Sequence, residues 1–148
     1  MNPSESCPLP DRSTSRDAQL ERMLAAKRIA IVGLSDDPSR ASYRIANYLR
    51  AKGKEIVPVN PNCQTVFGVK CYASLDEITL PVDLVDVFRR PEFCPDIVRS
   101  AVKIGAKGVW LQSGIISAEA EKIAREAGMD FVQDRCLMVE HLHRRHGM

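Results

Sequence analysis

The chain has 148 residues, enough for one domain with a sizeable core and little more. Its 45% apolar and 27% charged residues are ordinary for a globular protein and exclude wholesale disorder. Twenty-one Lys+Arg against 19 Asp+Glu give a net charge of +2, too balanced to suggest a nucleic-acid or membrane-surface binder.

The first 14 residues, broken by Pro3, Pro8 and Pro10, read as a flexible tail without the apolar stretch of a secretory signal. No run of about 18 apolar residues follows, so no membrane span is expected. Leu20, Met23 and Leu24 recur at helical spacing, and Arg16 to Ala26 reads as a short amphipathic helix. Arg28 to Val32 is an apolar run ending at Gly33, which fits a strand buried on both faces. After a polar loop, a helix carries Tyr43, Ile45, Ala46, Tyr48 and Leu49 and ends near Gly53. Glu55 to Val59 is the second strand, and Pro58, which lacks an N–H, puts it near a sheet edge or leaves it bonded on one side only there. Asn60-Pro61-Asn62 stops that strand with turn chemistry.

Val66 to Tyr72 reads as an irregular excursion around Gly68, and Ser74 with Glu77 reads as a capping box. Val82 to Phe88 is the next strand, with Asp83 at its entrance, and Pro91 opens a helix that runs to Gly105. Gly108 to Leu111 is a strand, Ser117 caps a helix to Gly128, and Asp130 to Val132 is the last strand. Strands alternating with helices imply βαβ units. The expected fold is a Rossmann-like three-layer α/β domain over residues 15–141, with a mostly parallel sheet and helices on both faces. A basic, histidine-containing tail over 142–148 is expected to follow it.

Five cysteines (Cys7, Cys63, Cys71, Cys94 and Cys136) are scattered without a C-x-x-C pair, the pattern of free thiols in a reducing, cytoplasmic compartment. In an open parallel sheet, ligands bind beyond the carboxyl ends of the strands, and Gly33 sits there. A glycine lets the backbone approach a ligand, and the next helix offers N–H groups and a positive dipole end, which suit a phosphate. Ser35, Ser39 and Ser42 add hydroxyls and Arg40 adds a fixed charge. The dinucleotide fingerprint G-x-G-x-x-G is not met, because Ser35 holds its second position. An NAD site also wants an acid at the end of strand two, where this chain reads Val59-Asn60-Pro61-Asn62. The motif on its own is weak, and the missing acid points to a nucleotide other than NAD.

Taken together, five stretches resemble one family. They are Ile31 to Ser35, Val57 to Asn62, Tyr72 to Leu75 after Gly68, Val82 to Pro91, and Gly105 to Gly114; the closing Asp134-Arg135-Cys136 also fits. The chain resembles the stand-alone CoA-binding proteins of the YccU type, which are similar to the CoA-binding domain of succinyl-CoA synthetase α chains and of ADP-forming acyl-CoA synthetases. The resemblance covers about Lys27 to His141.

It implies coenzyme A as cofactor. Gly33, Ser35 and the Pro38 to Ser42 loop, Arg40 included, would approach its phosphates, and Asn60 and Pro61 would lie by its nucleotide. Phe88 and Arg89 would flank the cofactor, with Gln112 near the pantetheine arm. The ligase chemistry of the synthetases uses a histidine in a second domain and does not carry over. The expected role is therefore a non-catalytic carrier or sensor of CoA or an acyl-CoA, with a protein partner or self-association left open. The rivals are an accessory subunit of an acyl-CoA ligase and an NAD(P)-binding redox domain.

Other residues have simpler roles to set beside a functional one. His141, His143 and His146 have loose metal-ligand spacing, but a frayed basic tail explains them more simply. Cys136 follows Arg135, a cation that favours the thiolate; were it to face the pantetheine thiol, a mixed disulfide with CoA would follow, although a buried, inert thiol is the simpler reading. Trp110 reads as core. Asp83 and Asp86, three apart in one strand, should face opposite ways and make a poor catalytic dyad.

Overall fold

A computed structural model describes residues 15–146; the tail expected over 1–14 lies outside them. In chain order the elements are α1 (Arg16–Leu24), β1 (Arg28–Val32), α2 (Ala41–Ala51), β2 (Glu55–Val59) and a hairpin of β3 (Thr65–Val66) and β4 (Val69–Lys70). A 3₁₀ turn (Leu75–Glu77) leads to β5 (Leu84–Val87), and a second one (Pro91–Phe93) runs into α3 (Cys94–Lys103). β6 (Gly108–Leu111), α4 (Ala118–Glu126), β7 (Asp130–Val132) and α5 (Leu137–His146) complete the order.

Five strands pair in parallel in the order β2-β1-β5-β6-β7. Pro58 therefore lies on an edge strand, as its missing N–H requires. Successive side chains alternate across the sheet, and both faces are buried. On one face Ala30, Val32, Val85, Val87, Val109 and Leu111 pack under Val98 and Ala101 of α3 and Ala120 and Ala124 of α4. On the other, Ile29, Ile31, Leu84 and Trp110 pack under α1, α2 and Leu137 of α5. This is the expected three-layer α/β architecture. Trp110 is fully buried, and its indole N–H donates to the Arg135 carbonyl at 2.8 Å.

From β1 the chain steps outward to β2, then returns to pair β5 on the other side of β1. The strand order thus reverses between β1 and β5, and a crevice opens beyond the carboxyl ends of these two strands. Gly33 and Phe88 are the residues that follow them.

Four local expectations are corrected. The excursion after β2 is a tight hairpin whose two loop residues, Phe67 (φ 58°) and Gly68 (φ 73°), both take the left-handed conformation that two-residue hairpins favour. Phe67 is held there by its ring, 4.6 Å from Tyr43 and capped by the Arg50 guanidinium at 4.3 Å. Ser74 makes no capping bond; in so short a turn Glu77 reaches back past it to accept from the Ala73 N–H at 3.2 Å.

β5 is shorter than Val82 to Phe88, running from Leu84 to Val87; Asp83 stands just before it, at the expected entrance, its carboxylate accepting the N–H groups of Lys27 and Arg28 at 3.2 and 3.0 Å. Finally, the supposed tail is helical to His146. α5 packs on α2, with Leu137 buried and the Tyr48 hydroxyl 2.7 Å from His141 Nδ1. Among the described residues no helix is long and apolar enough to cross a membrane.

Candidate functional site

The site is built on the carboxyl ends of β1, β2, β5 and β6, which is where all ten residues singled out in the sequence fall or where their loops begin. Gly33, at φ +87°, lets β1 turn while its N–H donates to the Val59 carbonyl at 2.8 Å. A Cβ at this position would stand 2.7 Å from the Phe88 carbonyl oxygen and 3.2 Å from Arg89 Cδ. The glycine therefore lets the β1 and β5 loops close on each other.

Much of the following loop is satisfied internally. Ser42 Oγ accepts the Ser35 N–H at 3.0 Å, and Ser35 Oγ accepts the Asp37 N–H at 3.0 Å. Asp37 takes both the N–H and the hydroxyl of Ser39, each at 2.9 Å, and these bonds hold its carboxyl below the usual range. Hydroxyls read in the sequence as ligand donors thus shape the loop. What remains open is the first turn of α2, whose N-cap residue Arg40 supplies no side-chain cap and which contains no acid. Asn60 is also structural: its Nδ2 donates to the Leu34 carbonyl at 3.0 Å and its Oδ1 accepts from the Asn62 N–H at 2.8 Å.

Two clefts flank Arg89. The larger, about 490 Å³, is walled by Ala41, Ile45, Phe88, Arg89, Gln112 and Cys136, with the Ser113 to Ile115 turn along one side. The smaller, about 170 Å³, lies between Val32, Val59 and Pro61 on the sheet side and Ser74, Ile97 and Ser100 across from them. Arg89 lines both, its guanidinium resting 4.5 Å above the Phe93 ring. Phe88, Arg89 and Gln112 are thus brought together with α2, and Pro61 joins them through Arg89. Pro38 and Arg40 are exposed on the loop and line neither cleft.

Sequence reasoning missed what lies under the larger cleft. Asp86 is fully buried between Ile31 and Trp110 in the sheet register, and its Oδ1 accepts the Gln112 Nε2 at 2.6 Å. Its Oδ2 has no partner. Burial pushes the carboxyl up to about 7, against the smaller opposing pull of the Gln112 hydrogen bond. The available signal was an acid in the middle of a strand that is otherwise apolar on both faces.

Cys136 is half-buried in the cleft wall rather than sealed in the core, while the cation expected to act on it, Arg135, is turned to Glu140 at 3.0 Å. Cys94, by contrast, is fully buried, and burial raises its thiol to about 11. Of the terminal histidines, His141 faces Tyr48, and the side chain of His146 lies outside what is described. No cluster of three metal-ligating side chains occurs among the described residues.

A larger depression, about 850 Å³, runs along the edge strand β7 beside Arg22, Lys107, Arg125 and Asp130. Both of its acids are already paired, Asp130 with Arg22 at 2.6 Å and Glu121 with Arg125 at 3.3 Å, and Lys107 leans out to Asp83 at 3.7 Å. The strand-end clefts, smaller but built at the reversal of strand order, are the better candidate.

Comparison with known proteins identifies the family. Residues 27–142 match the CoA binding domain family. The chain is 39% identical over 125 residues to the uncharacterized protein YneT of Bacillus subtilis, covering 84% of this chain and 93% of that one. A solved structure from Thermus thermophilus, cell-free ID.343, superposes with a TM-score of 0.81 at 43% identity, covering 87% of this chain and 98% of the other. An ADP-forming acetate–CoA ligase of Methanocaldococcus jannaschii is 26% identical over 136 residues, but the match spans only 19% of that enzyme. The family match covers most of the chain, and this protein belongs to the CoA binding domain family.

Proposed function

We propose that the chain binds coenzyme A or an acyl-CoA across the carboxyl ends of its strands and acts as a carrier or sensor rather than as a catalyst. The observation that carries this reading is the pair of clefts meeting at Arg89 beside an uncapped helix N-terminus, in a chain of a CoA-binding family. The phosphates sit at the open first turn of α2 and on Arg89, where N–H groups and a guanidinium replace their hydration. The nucleotide takes the cleft by Val59 and Pro61, and the pantetheine arm runs past Phe88 and Gln112 toward Cys136. No acid follows β2 to hold the ribose hydroxyls of NAD.

Thermal shift and calorimetry with CoA, acetyl-CoA, NAD, NADP and ATP test this directly. A micromolar ligand at millimolar concentration stabilises the fold by about 4 kcal/mol, and CoA and acetyl-CoA should do so. Stabilisation by NAD without any by CoA would overturn the reading. Replacing Arg89 with Met keeps the stem that packs between the clefts but removes the charge. CoA affinity should fall about tenfold or more and lose part of its salt dependence, with the melting temperature of the unliganded protein nearly unchanged.

A second reading has its own support in the ligase relatives, of which this chain spans a fifth or so. In it the chain is an accessory CoA-binding subunit. Acyl-CoA synthesis that appears only when a co-purified partner is added would favour that role over a free-standing carrier.

A further inference from the structure

Asp86 and Gln112 form a buried pair with an asymmetry that bears on the larger cleft. Asp86 is completely inaccessible, flanked in register by Ile31 and Trp110, with no charged residue beside it to balance an ionised carboxylate. A carboxyl in such a place is costly, and an apolar residue of similar size would pack there with less strain. Gln112 stands directly above it, at the end of β6, only 4% exposed and yet part of the cleft wall. The backbone N–H of Gln112 donates to the Val87 carbonyl at 3.3 Å, which fixes its root on the sheet.

A carboxamide can point either end into a cleft. Here its Nε2 is turned down onto Asp86 Oδ1 at 2.6 Å, so its oxygen is the end left for the cleft. An ionised carboxylate can only accept, and in that state Asp86 excludes the opposite orientation.

We infer that Asp86 is a positioning residue, which holds the Gln112 carboxamide with its oxygen facing the cleft as an acceptor for an amide N–H of a pantetheine-type arm. The inference rests on the CoA reading and deepens it: the wall selects a ligand that carries secondary amides there. A purely apolar arm would leave the oxygen without a partner, and an arm presenting only acceptors would be repelled by it.

The test compares two probes on the full chain by calorimetry: CoA, and adenosine 3′,5′-bisphosphate, which keeps the nucleotide and lacks the arm. Gln112→Leu and Asp86→Leu should each weaken CoA about tenfold, the value of one good hydrogen bond. The double variant should lose no more than either single one, because the two residues act through the same bond. Binding of the bisphosphate should stay within about twofold, and Asp86→Asn, which still offers an oxygen to Gln112, should keep CoA within about threefold of the parent.

Equal weakening of both probes would mean structural damage and overturn the inference, as would an unchanged CoA affinity in the leucine variants. Failure of the parent chain to bind either probe would instead sink the CoA reading itself. Should Asp86→Leu not fold, the side-chain amide signals of Gln112 in the parent chain, assigned by their loss in Gln112→Leu, carry the same test. CoA should leave the nuclear Overhauser contacts between those N–H groups and the Asp86 β protons in place, because the nitrogen stays on Asp86. If CoA abolishes them, the carboxamide has turned its nitrogen to the ligand and the inference fails.

Discussion

Gly33→Ala is expected to destabilise the protein by about 2–4 kcal/mol and to lower its melting temperature by about 5–15 °C. Two costs combine at this position. The backbone holds φ at +87°, a conformation that costs an L-residue roughly 1–2 kcal/mol. The added methyl would also lie 2.7 Å from the Phe88 carbonyl oxygen, and that atom belongs to backbone that cannot swing away as a side chain can.

Gly105→Ala separates the two effects, since Gly105 has φ +77° but a methyl group there would meet nothing within 4 Å. It should cost only the dihedral part, about 1 kcal/mol. Urea unfolding of the two variants beside the parent measures the difference. Equal losses would show that the close approach of the β1 and β5 loops contributes nothing. Because relief of the clash must displace Phe88 and Arg89, Gly33→Ala should weaken CoA binding even under conditions in which it stays folded, whereas Gly105→Ala should leave binding alone.

The contrast between these glycines also marks what was legible in the sequence. The bounds of β1, β2, β6 and β7 coincide with those read from the sequence, because strands buried on both faces are apolar at nearly every position after the first. Gly33 was legible as a site for close backbone approach, because a glycine at the end of a first parallel strand has few other reasons to be there. What it approaches was not legible, since Phe88 lies 55 positions further on and only the β1–β5 register brings the two together.

The same holds for α5. Its string of basic residues and histidines reads locally as a solvated end, and its place in the fold depends on Leu137 and on a Tyr48–His141 contact 93 residues apart. The loop serines show a different limit: residue type identifies a hydroxyl, but whether Ser35 and Ser42 serve a ligand or their own loop depends on geometry that no local pattern encodes. Asp86 is the clearest case. Its neighbours in sequence mark it as an acid in an apolar strand, but its partner Gln112 follows a different strand, and the pair exists only once β5 and β6 are side by side.

That pair should also give the protein an unusual dependence of stability on pH. Most structural carboxylates are held below their ordinary pKa, so their contribution is present at neutral pH and is lost on acidification; Asp83, with its two backbone N–H donors, is of that kind. Asp86 has the opposite sign. Its folded-state carboxyl is raised to about 7 from the ordinary 3.8, so folding takes up a proton between those two values. Stability from this group is fully present below the unfolded value and is lost as pH rises through about 7.

Between about pH 5 and about pH 8 the parent should lose about 3 kcal/mol relative to Asp86→Asn, which has nothing to ionise at this position. Taking the difference between the two proteins cancels Asp83, the histidines and every other group they share. The stability difference between variant and parent, measured by urea unfolding at several pH values, should therefore shift steadily in the variant's favour and level off above pH about 8. Parallel profiles would mean that Asp86 titrates as an ordinary carboxylate, and that water or a shift of the sheet solvates it in the folded protein. A rising difference would establish that a neutral carboxyl group sits beneath the cleft at the acid end of the range, and that it ionises there at a cost the surrounding sheet must bear.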